Sequence, residues 1–222
     1  GAFPNYEFVK ALKKVVGEDN GTIFRYATHE NSVLRQIREQ MLDDGRSEFS
    51  VYTEWIDNIT EHWEEGDKII GPSNMVDMLK LVKKYYYHPR MKGSNSIKSV
   101  LPAIFYDSEF IKERYSKPVG FGNNLKDEVL WKYDNDNQQP FDPYKILPDT
   151  YSKLNNQKHN LLFKDAKVQD GGAALAAFGK MQFTEMAEYE RSALVAALLQ
   201  YCELDTLAMV MLYQHWRSLK KL

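Results

Sequence analysis

The chain has 222 residues, with 29 Lys+Arg against 31 Asp+Glu and a formal net charge of −2. Apolar residues at 43% and charged residues at 27% are the profile of a globular domain, and a chain of this length buries roughly 70–75% of its unfolded surface without staples. The single cysteine, Cys202, excludes an intrachain disulfide and a Cys-rich zinc site, and the expected location is the reducing cytoplasm.

The start, Gly1-Ala2-Phe3-Pro4, has neither the basic end nor the apolar stretch of a signal peptide. Residues 5–16 predict a helix, because Tyr6, Phe8, Val9, Leu12, Val15 and Val16 recur at helical spacing with lysines between them. Gly17 to Gly21 reads as a stop and a turn, and Thr22-Ile23-Phe24-Arg25-Tyr26 as a short strand. A second helix is expected from Glu30 to Leu42, with Val33, Leu34, Ile37 and Met41 on one face and Arg35, Arg38 and Glu39 on the other. Residues 51–67 are expected to be helical through Trp55, Ile56, Ile59 and Trp63, and they carry six acids and no Lys or Arg. After Gly71-Pro72, residues 75–87 predict a strand that continues as a helix. From Met78 to Tyr106 the balance reverses to six Lys and Arg with no acid, so the near-neutral mean leaves room for a local basic face. A short helix from Ser96 to Phe105 contains Pro102, which predicts a break or kink.

Residues 107–165 hold Pro118, Gly120, Gly122, Asp134 to Asn137, Pro140, Pro143 and Pro148, with Trp131, Phe141 and Tyr144 as aromatic anchors. This is loop chemistry, and a loop so long is usually functional or an insertion. Asp170 is a plausible N-cap for a helix over 173–181. Residues 192–219 predict one long helix or a pair, apolar on most of the circumference and therefore well buried. Apolar runs such as Ala193–Leu199 fall far short of the ~20 residues of a membrane span. The expected organisation is one domain over 1–222 with a loop-rich insertion at about 107–165, and there is no internal repeat.

Three places could hold chemistry. In Tyr201-Cys202-Glu203-Leu204-Asp205-Thr206, Tyr201 and Asp205 are four apart and share a helix face. A buried carboxylate needs a partner. Asp205 is either a metal ligand beside a tyrosine that orients a water, or a structural acid bonded to a backbone group or a lysine. Cys202, mid-helix among apolar residues, reads as packed rather than nucleophilic. In Tyr26-Ala27-Thr28-His29-Glu30-Asn31, a strand passes into a helix, the place where α/β folds put their sites. Glu30 is either a metal ligand or a complement to the helix dipole, with Thr28 or Asn31 as the cap. Finally, Tyr85-Tyr86-Tyr87-His88-Pro89 runs into Gly93-Ser94-Asn95-Ser96-Ile97-Lys98. Aromatics beside Lys84, Arg90, Lys92 and Lys98 suit stacking on bases and pairing with phosphates, and Ser94 or Ser96 could hold a phosphate at a helix start. The plainer alternative is a capped helix with a solvated basic face. The five histidines show no spacing that suggests zinc, and no G-x-x-x-x-G-K-[ST] loop occurs.

In order, the chain shows Tyr26…Glu30…Leu34, then Asp77, Tyr87-His88-Pro89, Gly93-Ser94-x-Ser96-Ile97-Lys98-x-Val100-Leu101-Pro102, Asp170-Gly171-Gly172 and Tyr201-Cys202-x-x-Asp205-Thr206. This resembles a bacterial domain family of unknown function in the ribonuclease-H-like superfamily, similar to the DEDD (DnaQ-type) 3′–5′ exonucleases. The resemblance implies a helix-rich α/β fold and two divalent ions, Mg²⁺ or Mn²⁺, held by four acids. Two of these come from a D-x-E on the first strand. Glu30 takes the junction position, where the usual acid is Asp, and Asp205 takes the final one. Tyr201 positions the attacking water, and Asp77 is a structural or accessory residue. No D-x-E precedes Tyr26, and the only one, Asp107-Ser108-Glu109, comes in the wrong order. The chain therefore reads as beginning after the first strands of such a fold, with a reduced sheet.

The function implied is a metal-dependent nuclease domain acting on DNA or RNA, at single-stranded ends, with Lys84, Tyr87, Arg90, Lys92, Ser94 and Lys98 on the nucleic-acid face. The alternative is a non-catalytic nucleic-acid-binding or protein-interaction module on a degenerate nuclease fold. No membrane partner is expected. An exposed sheet edge would favour a homodimer, or cover by the 107–165 segment.

Overall fold

A computed structural model describes residues 4–17, 21–152, 161–163 and 167–220. The centre of the expected 17–21 turn and parts of the expected 107–165 loop lie outside these residues. The chain is mixed α/β and mostly helical, and its contacts divide it into two units, residues 1–87 and 88–222.

In the first unit, α1 (Asn5–Val16), β1 (Phe24–Arg25) and α2 (His29–Asp44) follow the predicted order. The apolar stripe of α1 is narrower than its sequence suggests, for Val9 is fully buried while Phe8 and Val15 face solvent. A short 3-10 turn over Ser47–Phe49 leads into α3 (Ser50–Ile59). Val9, Leu34, Ile37, Met41, Phe49, Trp55, Ile56, Ile59 and Met75 form the core.

The expected helix over 51–67 ends early, at Ile59. There the Thr60 hydroxyl donates to the Ile56 carbonyl at 2.7 Å, and Thr60 itself is extended. The chain then forms an antiparallel hairpin, β2 (Glu61–Glu64) and β3 (Asp67–Ile70). Glu65 and Gly66 both take positive φ, +50° and +92°. Such a pair matches the right-handed twist of a two-residue hairpin turn. The apolar periodicity that suggested one helix belongs partly to this hairpin, and Trp63 lies exposed on it. Next, β4 (Val76–Asp77) pairs in parallel with β1, placing Phe24 opposite Val76 and Arg25 opposite Asp77. It passes directly into α4 (Met78–Tyr85).

In the second unit, a 3-10 turn over Pro89–Met91 precedes α5 (Ile97–Asp107). Pro102 lies inside α5 without breaking it. Leu101, Ile104 and Phe105 are essentially solvent-free around it, and their packing outweighs the lost backbone bond. An unforeseen helix, α6 (Glu109–Tyr115), starts within the expected loop, with the Ser108 hydroxyl accepting from Ile111 N at 3.3 Å. The D-x-E run thus spans a helix junction, and Asp107 pairs with His88 at 2.9 Å. A minimal hairpin, β5 (Tyr133–Asp134) and β6 (Gln139–Pro140), is the strand content of the remaining described loop.

Asp170 caps α7 (Gly171–Phe183) by accepting from Ala173 N at 2.8 Å, as its position predicted. The last element is a single helix, α8 (Glu188–Leu219). Its inward face is Leu194, Ala197, Tyr201, Leu204, Ala208, Met211 and Leu212, while Val195, Leu199 and Val210 face out, so burial is less complete than expected. By length and composition, α8 could cross a membrane: an 18-residue window has mean hydropathy 1.5, reached through scattered polar residues rather than an unbroken apolar run.

Candidate functional site

Four side chains of the second unit converge where α5, α8 and the segment 142–144 meet. Tyr201 and Asp205 stand one turn apart on α8, as their spacing requires. Lys98, in the first turn of α5, donates from Nζ to the Tyr201 hydroxyl at 2.7 Å. The Tyr144 hydroxyl donates to Asp205 Oδ1 at 2.7 Å. Tyr144 is held in a turn in which Asp142 Oδ1 accepts from its backbone N–H at 3.0 Å. The two phenol rings are tilted 52° with centroids 6.2 Å apart. The Lys98 ammonium lies 5.1 and 4.8 Å from them, within cation–π range of both.

Asp205 is half-buried and has a partner, but that partner is a phenol. Burial first, and then the Asp205 carboxylate, push both the Tyr144 and the Tyr201 hydroxyl well above the usual tyrosine range. Both remain protonated donors at any ordinary pH. Cys202 points outward from the same helix and is exposed, which corrects the expectation that it is packed.

The other basic and aromatic candidates divide between the units. In the first, Lys84 lies over the ring of its neighbour Tyr85 at 5.0 Å and Tyr87 is 79% exposed. In the second, Arg90 stacks over Tyr106 at 3.6 Å and donates to Gln139 Oε1 at 2.9 Å. Lys92 sits at φ +51°, a left-handed position that a lysine rarely adopts. Ser94 Oγ accepts from Ser96 N at 3.3 Å, and Ser96 caps α5, so the capped-helix arrangement is present.

In the first unit, the parallel strands β1 and β4 both run into helix N-termini. Asp77 clasps their ends: its Oδ1 accepts from Ala27 N at 3.1 Å, Leu79 N at 3.0 Å and Lys80 N at 3.4 Å. Glu30 lies in the first turn of α2, and its Oε2 is buried with no hydrogen-bond partner among the described residues. Asn31 does not cap the helix. Its amide exchanges two bonds with the Glu61 backbone, at 2.8 and 2.9 Å. Thr28 occupies the cap position without a side-chain bond.

Among the described residues, no group of three or more His, Cys, Asp or Glu side chains gathers to hold a metal ion. One carboxylate, two phenols and an ammonium are the donors around Asp205, and an ammonium competes with a cation rather than supporting it. The described side chains do not by themselves fit a two-ion centre.

Sequence reasoning named Tyr144 only as an anchor, and missed Tyr106, Gln139, Lys145 and Glu203 altogether. The Glu203 carboxylate accepts from Asn123 N, Asn124 N and Asn124 Nδ2, the last two at 2.8 Å, and so ties a loop to α8. An acid beside Tyr201 and Asp205 in sequence was the one available signal for it.

Residues 1–96 match a family model described as a domain of unknown function (DUF2779). The match covers the first unit and extends through the basic and aromatic segment as far as Ser96. No curated protein and no solved structure matches the chain.

Proposed function

We propose that the chain is a nucleic-acid-binding domain on a ribonuclease-H-like fold of the DEDD exonuclease type. The observation that carries this reading is the meeting of Lys98, from the G-S-x-S-I-K run, with Tyr201 of the Y-C-x-x-D run across 2.7 Å. Two motifs that stand apart in the sequence share one polar cluster. An ammonium has three donors, and Tyr201 takes one of them, so Lys98 retains donors for a phosphate oxygen. The first unit adds a parallel strand pair whose ends carry Asp77 and lead to Glu30, the place where α/β folds put ligand sites. The test is binding of single-stranded DNA and RNA oligonucleotides by the whole chain over a range of salt. Affinity should fall steeply with salt and drop further in Lys98→Ala. Absence of binding at low salt overturns the reading.

A second reading, phosphodiester hydrolysis, is favoured by Glu30. A buried carboxylate oxygen without a partner is costly and suits a site that receives a cation. Its readout is Mg²⁺- or Mn²⁺-dependent release of nucleotides from single-stranded ends by the full-length native protein. Asp205→Asn should abolish that release; undiminished release takes Asp205 out of the hydrolytic site, and no release by the parent protein with either ion overturns the hydrolytic assignment while leaving binding intact.

A further inference from the structure

A cleft of about 480 Å³ opens in the second unit beside α5 and the β5–β6 hairpin. Its size falls within the range of about 300–1,000 Å³ typical of small-molecule sites. Arg90, Lys92 and Lys145 bring three cations to its lining, and Tyr106 and Phe141 bring two aromatic rings. All three cations are exposed, and both rings keep more than a third of their surface in solvent.

Two acids share the lining, and both are engaged. Asp134 is satisfied within its own hairpin turn, accepting from Asn137 Nδ2 at 2.7 Å and from Asp136 N at 3.0 Å. Asp142 accepts from Tyr144 N. Arg90 is fixed from two sides, by its stack on Tyr106 and its bond to Gln139. A guanidinium held in this way loses little freedom on meeting a phosphate. Lys92 is held at its rim in a left-handed backbone conformation, a strain that tends to mark functional positions.

We propose that this cleft is a nucleotide subsite for single-stranded nucleic acid, taking a backbone phosphate on Arg90, Lys92 and Lys145 and stacking a base on Phe141. The proposal rests on the nucleic-acid-binding reading above, which expects Arg90 and Lys92 on the nucleic-acid face, and adds to them Lys145, Phe141 and the cleft that gathers them. Exposed aromatic rings beside three cations in a cleft of this size suit a base stacked next to its own phosphate.

The test is fluorescence anisotropy of labelled oligothymidylate and of an abasic strand of equal length, with the whole chain, at several salt concentrations. In Lys145→Ala and in Arg90→Ala/Lys145→Ala, affinity for both strands should fall. The slope of log K against log salt should become shallower by about 0.7 for each phosphate contact removed from a single strand. Phe141→Ala should weaken the normal strand by about five- to a hundredfold, the range of one lost base stack, and leave the abasic strand unchanged. Lys117→Ala, an exposed cation outside the cleft, should change neither. If the parent chain binds but the cleft variants bind equally well, the cleft assignment falls and the general reading stands. If Phe141→Ala weakens both strands alike, the stacking role falls. If the parent chain binds neither strand at low salt, both readings fall.

Discussion

Lys98 and Tyr201 meet across 2.7 Å although 103 residues separate them. Lys98 lies in the first turn of α5, whose Val100, Leu101, Ala103 and Ile104 are fully buried, and Tyr201 is 5% exposed on α8, which packs beside it. The contact is thus fixed by the two helices. The ammonium arrives at a phenol that already faces a carboxylate, and the three groups form a polar island in apolar packing.

That island predicts coupling. Lys98→Met and Tyr201→Phe each remove the same bond. Each should lower the stability of the chain by about 1 kcal/mol, with a coupling of about 0.5–1.5 kcal/mol in a double-mutant cycle measured by urea unfolding. Strictly additive losses would show that the bond contributes nothing.

Asp205 and Tyr144 give a sharper contrast. Tyr144 is 2% exposed, so Asp205→Ala strands its hydroxyl in the interior, at a cost of about 1–3 kcal/mol. Asp205→Asn keeps an acceptor oxygen and should cost less than about 1 kcal/mol. Adding Tyr144→Phe to Asp205→Ala should recover part of the loss. Equal urea midpoints for the Asn and Ala variants would contradict the hydrogen bond.

The parts of this structure that were legible in the sequence are those set by local rules. The helical spacing of α1 and α2, the Asp170 cap and the placement of Tyr201 and Asp205 on one face all follow from residue periodicity and capping chemistry. The hairpin after Ile59 was hidden because Trp63 continues the apolar spacing of α3, and the deciding signal was the Glu65-Gly66 turn. Tyr144, Gln139 and Lys145 were invisible as site residues for a different reason. Their roles arise from side chains distant in sequence, Lys98 and Asp205 for Tyr144, Arg90 for Gln139 and the cleft lining for Lys145, and nothing in a loop sequence states what it will lie against.

Gly71 makes a prediction about packing. It donates to the Thr60 carbonyl at 2.9 Å, and a Cβ there would fall on the backbone oxygens of Asp57 and Asn58. Backbone at the end of α3 cannot step aside as a flexible side chain would. Gly71→Ala should therefore destabilise the chain by about 2–4 kcal/mol, read as a drop in urea midpoint at unchanged slope. Gly179→Ala, where the added atom meets open space within α7, should be neutral or stabilising by up to about 1 kcal/mol. A reversal of that order would contradict the close approach.

Glu61 predicts an acid-dependent loss of stability. Its carboxylate meets Lys68 at 2.9 Å, Arg25 at 2.9 Å and Lys80 at 3.4 Å. The Lys68 hydrogen bond leads in pulling its pKa down to about 2, against the penalty of partial burial and with help from Lys80 and Arg25. An unfolded glutamate titrates near ~4.3. The folded value lies below the unfolded one, so the stabilisation is fully present above about pH 4.5 and is lost as pH falls toward 2. The shift sets an upper bound of about 3 kcal/mol, and solvent around the exposed Lys80 reduces it to about 1–2 kcal/mol. Urea unfolding at pH 6 and at pH 2.5 should show the parent chain losing that much more stability than Glu61→Gln. At neutral pH the Gln variant should be less stable by about 3 kcal/mol, because Arg25 is 1% exposed and its guanidinium would lose its anion in the interior. Lys80→Ala removes only a rim charge and should cost less than about 1 kcal/mol. Parallel pH profiles for the parent and Glu61→Gln would refute the assignment.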